Sequence, residues 1–210
     1  MAKRPVFVSS LETPYCKTAD VVFEWVPGFA KSQKQKCIKS LHDSFLKKYP
    51  KLNVLEISSK SFQGGEVYSA FYLKKYVPSL KKFIPVENVF QASKVFEDGG
   101  PYLDLLGVSP KEAKKDPRLK GSKLIGFRFE EKDYPFNPKT AFYDYIYMNA
   151  LLENKELINN LVKYDAFTDI EFNPEKSINC QTKAASLFVS LYRLGLTDKI
   201  KDFDSFIKLF

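Results

Sequence analysis

Pro85-Val86-Glu87-Asn88-Val89-Phe90-Gln91-Ala92-Ser93-Lys94-Val95-Phe96 is the stretch from which the rest of this chain is read. At helical period, Val86, Val89, Ala92 and Phe96 form an apolar stripe that anchors it. Glu87, Gln91 and Lys94 recur at spacings of four and three and line a second face, with Phe90 among them. A solvated helix face ordinarily carries several long, flexible charges. This one offers one carboxylate, one amide and one ammonium between bulky apolar groups, an arrangement that holds polar groups at the edge of a cleft. Gly99-Gly100-Pro101 supplies the stop.

A chain of 210 residues fits one domain, and an apolar fraction of 44% with 19 Phe and 12 Tyr is ample for its core. No window of eighteen apolar residues occurs, so no membrane span is expected. Met-Ala-Lys-Arg-Pro is charged and leads into no apolar run, which reads as no secretory signal. Cys16, Cys37 and Cys180 are odd in number and widely spaced, forming neither a metal motif nor a disulfide framework. That usage favours a reducing cytoplasm. His42 is the single histidine, and neither a P-loop nor a Rossmann fingerprint is present, so neither metal nor cofactor is expected. The net charge of +8 has two readings. Lysines scattered from Lys3 to Lys208 serve solubility, or they attract a polyanion such as nucleic acid or a phosphorylated nucleotide.

Along the chain, Val6-Phe7-Val8 reads as an edge strand and residues 20–25 as a strand before the Pro27-Gly28 turn. A helix is predicted over Ser32 to Lys48, with Cys37, Ile38, Leu41 and Phe45 as its stripe. Lys34 extends that stripe, either snorkelling at the helix start or facing a cleft. Leu52 to Ile57 reads as a buried strand ending in the polar turn Ser58-Ser59-Lys60-Ser61, a common place for ligand contacts and for phosphate. Residues 66–73 read as a strand, and 74–85 as a basic connector.

Ser109-Pro110-Lys111-Glu112 is a capping box with proline at the first helical position. Residues 124–129 read as a strand, 134–138 as a loop, and Thr140 to Asn154 as a capped helix whose Tyr145 either packs or stacks on a base. If Phe167 to Pro174 is extended, Asp169, Glu171 and Asn173 share one face. After Asn179 a further helix packs Ala184, Ala185, Phe188, Val189 and Tyr192 inward. Cys180 reads as a buried small hydrophobe, with no local histidine to activate it. The fold class is α+β, one compact and mostly helical domain over residues 1–210 with a small sheet.

Separated carboxylates suit glycosidic-bond hydrolysis, one protonating the leaving group while another activates water. A lysine offers a second route by capturing a ring-opened sugar aldehyde. Spacing alone does not choose between them.

The segment Val86 to Phe96 resembles the hallmark of the NADAR superfamily, in which a Glu opens an E-x-x-F-Q-A-x-K-F pattern. Val67-Tyr68-Ser69-Ala70-Phe71 is similar to that family's upstream F-S-N-F element. The fuller resemblance is to NADAR antitoxins encoded with DarT-type toxins. It runs through Ser32 to Lys36, Leu55 to Ser61, Lys94 to Tyr102, Ala113 to Arg118, Phe167 to Pro174 and Ser177 to Gln181.

The resemblance implies the NADAR fold and an ADP-ribosyl glycohydrolase. Such proteins remove ADP-ribose from the guanine amino group of DNA and so reverse a partner toxin. It implies acid/base and transition-state roles for Glu87 and Asp169, and a covalent or electrostatic role for Lys34. Ser59, Lys60, Ser61 and Lys94 would position the diphosphate or sugar. Gln91, Tyr145, Glu171, Asn173 and Asn179 would line the pocket. Where the toxin-linked pattern has Phe-Tyr-Asp-Trp this chain ends in Tyr145, so a Trp-specific contact is not carried over. Two alternatives stand beside this reading. One is an N-glycosidase acting on a phosphorylated ribosyl-amine metabolite, the other a non-catalytic basic module that binds nucleic acid.

Overall fold

The computed structural model describes residues 1–175 and 177–209. Two compact units emerge, Met1–Ser69 with Lys155–Phe210, and Ala70–Asn154. The first opens with β1 (Ala2–Ser9), β2 (Cys16–Phe23), α1 (Lys31–Leu46) and β3 (Val54–Glu56). The second follows with β4 (Lys74–Val77), β5 (Lys82–Pro85), α2 (Val86–Ala92), β6 (Lys94–Phe96) and α3 (Pro110–Lys115). It ends with β7 (Leu124–Phe129), β8 (Lys132–Pro135) and α4 (Ala141–Leu152). The chain then returns to the first unit with α5 (Lys155–Leu161), β9 (Ala166–Thr168), α6 (Gln181–Arg193) and α7 (Phe203–Ile207). The class is α+β, as expected, with three small sheets among the described residues where one was foreseen.

In the first unit the sheet order is β2-β1-β9-β3. β1 and β2 pair antiparallel without a register break, from Ala2 opposite Phe23 to Ser9 opposite Cys16. β9 is antiparallel to β1, and β3 runs parallel to β9. β1 is therefore interior, not the edge strand expected. Its Val6 and Phe7 point to opposite faces and both are buried, the pattern of a sheet covered on two sides. The α1 stripe of Cys37, Ile38, Leu41 and Phe45 forms as predicted and packs on Val6, Val21, Phe23, Val54, Ala166 and Ile170. Each such large side chain contributes roughly 1.5–3 kcal/mol by leaving water. α6 packs on β1, β2 and β9, with Tyr192 turned outward instead of inward.

β3 is the edge, and a side chain closes it. Gln63 Nε2 donates to Val54 O at 3.1 Å, and Gln63 Oε1 accepts from Glu56 N at 3.3 Å. Residues 66–73 do not form the expected strand; a 3-10 turn spans Gly65–Tyr68. Gly65 lets it approach, since a Cβ there would stand 2.0 Å from Glu56 O. The Tyr68 hydroxyl then ties the turn to Leu157 O at 3.0 Å.

In the second unit the expected connector 74–85 is a β4–β5 hairpin. Pro78 opens its 3-10 turn and Lys81 adopts the left-handed region at φ 51°, so the backbone reverses and the flanking residues pair. α2 ends at Ala92, short of the expected Phe96. Ser93 Oγ donates to Val89 O, and Ser93 O accepts from Arg128 N, both at 2.7 Å. The chain thus leaves the helix, and Lys94–Phe96 joins the sheet β6-β7-β8. Gly99-Gly100-Pro101 consequently closes a strand. At Gly100, with φ 91°, a Cβ would lie 2.3 Å from Lys94 O. β8 also claims Tyr134 and Pro135 from the expected loop. The capping box of α3 is present in both directions, with Ser109 Oγ accepting from Glu112 N and Glu112 Oε2 accepting from Ser109 N.

Candidate functional site

The second unit carries the Glu87 face. All seven residues of α2 are buried, so its polar groups need partners or pay for desolvation. Asn88 Nδ2 donates to Leu105 O and Val108 O, both at 2.8 Å, fixing the helix to the following loop. Glu87 and Gln91 are 5% and 7% exposed, and Gln91 Nε2 donates to Glu87 Oε1 at 2.8 Å. Gln91 Oε1 is buried and accepts no hydrogen bond from any described residue.

Lys94 stands 4.8 Å from the centre of the Phe90 ring. Burial lowers its amine to about 8, opposed by the charge of Glu87 and reinforced by that of Lys114. Behind this face the Phe90 ring meets Tyr143 edge-on at 5.0 Å, and Phe127 stacks on Phe142 at 4.5 Å. Tyr134 links Phe142, at 4.9 Å, to Tyr145, at 5.9 Å. Tyr145 is half-buried within that aromatic group. A carboxyl, an amide and an easily deprotonated amine are thereby held on an apolar bed.

The first unit carries the Asp169 segment. β9 ends at Thr168, and the expected alternation of Asp169, Glu171 and Asn173 does not develop. The Asp169 carboxylate takes the backbone's hydrogen bonds instead. Its Oδ1 accepts from Glu171 N at 2.9 Å and Phe172 N at 3.2 Å, turning the chain. Oδ2 accepts from Gln181 Nε2 at 2.8 Å. Desolvation pushes the Asp169 carboxyl above its ordinary range.

Ser59 Oγ donates to Glu171 Oε2 at 3.3 Å, so the two polar turns meet. Ser61 Oγ is used internally, accepting from Gln63 N and Gly65 N at 3.2 Å each. Asn173 Oδ1 accepts from Glu175 N at 3.0 Å, whereas Asn179 Oδ1 is buried without a partner among the described residues. Cys180 lies against Thr182 Oγ1 at 2.8 Å, and burial pushes its thiol up to about 12, which fits an inert packing residue.

Sequence reasoning passed over the centre of this unit. Glu56, on β3, is fully buried, and its Oε2 accepts from Thr168 Oγ1 at 2.7 Å. Oε1 accepts from Ile170 N at 2.9 Å and Ser58 N at 3.4 Å. His42 Nε2 lies 2.8 Å from Thr168 Oγ1, extending the chain of polar groups into α1. Burial raises the Glu56 carboxyl to about 8, and the neighbouring Asp169 charge adds to the shift. Burial lowers His42 to about 4, so it is neutral. The available signal was one acid inside the apolar run Val54 to Ile57, since a carboxyl seldom enters a buried strand unpartnered.

Lys34 is half-buried with its Nζ 4.4 Å from the centre of the Trp25 ring, and Arg4 shares that ring at 5.7 Å. A groove of about 340 Å³ lies along α1 between Glu24, Val26, Lys36 and Lys47. None of the residues lining it was selected from the sequence. Among the described residues no helix is long and apolar enough to cross a membrane, and no cluster of three or more His, Cys, Asp or Glu is placed to hold a metal ion.

Each unit thus keeps polar groups in apolar surroundings, a carboxyl, an amide and a readily deprotonated amine in the second and buried carboxyls in the first. Comparison with known families supplies the rest. The chain belongs to the DarT1-associated NADAR antitoxins, whose family model matches residues 2–210. That membership carries the role of antitoxin to a DarT1 toxin. No curated protein matches the chain.

Proposed function

We propose that this antitoxin is a hydrolase acting as one NADAR domain over residues 1–210, removing ADP-ribose from the guanine amino group of DNA. The bond broken is the N-glycosidic link at C1″ of the distal ribose. A proton goes to the guanine nitrogen as it leaves, water adds its oxygen to C1″, and a carboxylate takes the water's proton. The products are free ADP-ribose and restored guanine.

One observation carries the reading. The buried pair of Glu87 and Gln91 leaves a buried Gln91 oxygen unsatisfied, a cost that a bound ligand's hydroxyl or N–H would relieve. Glu87 and Asp169 are assigned the acid/base and transition-state roles. Lys34 is assigned a covalent or electrostatic role through its charge beside Trp25. Ser59, Lys60, Ser61 and Lys94 hold diphosphate or sugar. Gln91, Tyr145, Glu171, Asn173 and Asn179 line the ligand. The net charge of +8 supports a polyanionic substrate.

The test is incubation with an oligonucleotide bearing ADP-ribosylated guanine, followed by separation of the products. Release of ADP-ribose with an intact oligonucleotide is expected. Turnover of a small ribosylamine phosphate with the oligonucleotide untouched would move the function to a metabolite. Salt-sensitive binding of unmodified DNA without turnover of either would make the protein a binding module.

A further inference from the structure

Glu56 lies inside the Leu55 to Ser61 stretch of the resemblance but was given no role in the site, yet its carboxyl is fully enclosed. Its side chain is 0% exposed, in the last position of β3. We propose that Glu56 is a positioning residue, a clamp that holds the Ser58–Ser61 turn and the Asp169–Glu171 turn in fixed relation. The proposal rests on the reading of those turns as part of the glycohydrolase site.

The geometry is that of a clamp. One carboxyl oxygen accepts from Ile170 N and Ser58 N, one backbone donor from each turn. The other oxygen meets Thr168 Oγ1, which is fixed in turn by His42 of α1. Downstream of the clamp, Ser58 Oγ accepts from Lys60 N at 3.2 Å, and Ser59 reaches Glu171. The two turns are thus joined at a buried end through Glu56 and at an exposed end through Ser59 and Glu171. A carboxyl in this position is costly as an anion, and the charge of Asp169 adds to that cost as Glu171 does for Asp169. The neutral form of Glu56 removes that conflict. With its proton, the acid keeps one oxygen to accept from Ile170 N and Ser58 N. The other reverses the Thr168 hydrogen bond and donates to Thr168 Oγ1, whose hydroxyl then donates to His42 Nε2. A glutamine side chain offers the same donor and acceptor pattern.

The experiment compares wild type, Glu56→Gln and Glu56→Ala by amide hydrogen exchange at Ser58 and Ile170 and by ADP-ribose release from the modified oligonucleotide between pH 6 and 9. Glu56→Gln is expected to exchange and turn over at pH 7 within about twofold of wild type, because its hydrogen bonds are conserved. Glu56→Ala is expected to exchange at least ~10-fold faster at both amides, with kcat falling by about the same factor as the turns loosen. The wild-type rate falls above about pH 8 as Glu56 ionises against Asp169. Lys94 titrates over the same range in both proteins, so Glu56→Gln is expected to show a shallower fall than wild type, a difference that a purely structural role would not produce.

Unchanged exchange at both amides in Glu56→Ala would overturn the clamp, as would Glu56→Gln being as impaired as Glu56→Ala. Should the alanine variant fail to fold, the pH profile of Glu56→Gln decides alone. Wild-type protein inactive on the oligonucleotide counts against the glycohydrolase reading only. The exchange arms still decide the clamp.

Discussion

Gln91 Nε2 donates to Glu87 Oε1 across 2.8 Å, one helical turn apart, in surroundings that leave neither side chain more than 7% exposed. The contact gives the carboxyl a fixed rotamer and a donor that bulk water does not supply. Replacing Gln91 by Leu removes that donor while keeping the volume. Hydrogen bonds to charged groups are worth about 1.5–3 kcal/mol, so kcat/KM for ADP-ribose release is predicted to fall about 10-fold or more. An unchanged rate would remove Gln91 from the site.

Lys94 makes stability depend on alkaline pH. Its folded-state amine sits at about 8, below the ordinary 10.5, so between those values the unfolded chain binds more protons. The penalty of burying the ammonium is therefore present in full below about pH 8 and is relieved as pH rises toward 10.5. The urea midpoint of wild type, relative to that of Lys94→Met, is predicted to rise through this window. A constant difference would mean that the amine is not desolvated.

The capping box of α3 has no place in the chemistry and tests the local reading by itself. Ser109→Ala removes the acceptor for Glu112 N and is predicted to cost about 1 kcal/mol. In a chain of this size that is a fall in Tm of about 2–4 °C. ADP-ribose release at 25 °C should be unaffected.

Legibility in the sequence followed how local each cause was. The α1 stripe and the Ser109 box depend on residues within a turn or two, and both formed where the spacing placed them. The helix read through Phe96 stops at Ala92 because Lys94–Phe96 pairs with β7, about thirty residues downstream and invisible to periodicity. Alternation at Asp169 failed because the carboxylate prefers its own backbone's N–H groups, a competition that Asp brings to any strand end. Glu87 and Gln91 were legible as a pair since a helix places i and i+4 together. Glu56 was not, because its partners Thr168 and Ile170 lie 112 and 114 residues away.

The central claim is that Glu87 drives cleavage of the guanine–ADP-ribose bond, and single-turnover release of ADP-ribose by wild type and Glu87→Gln measures it directly. Glutamine keeps the shape and an oxygen to accept from Gln91 but can neither give nor take a proton. The prediction is restored guanine and free ADP-ribose with wild type, and a rate lower by roughly 100-fold or more with Glu87→Gln, the range of a lost general acid or base. Equal rates in two folded proteins would contradict the account.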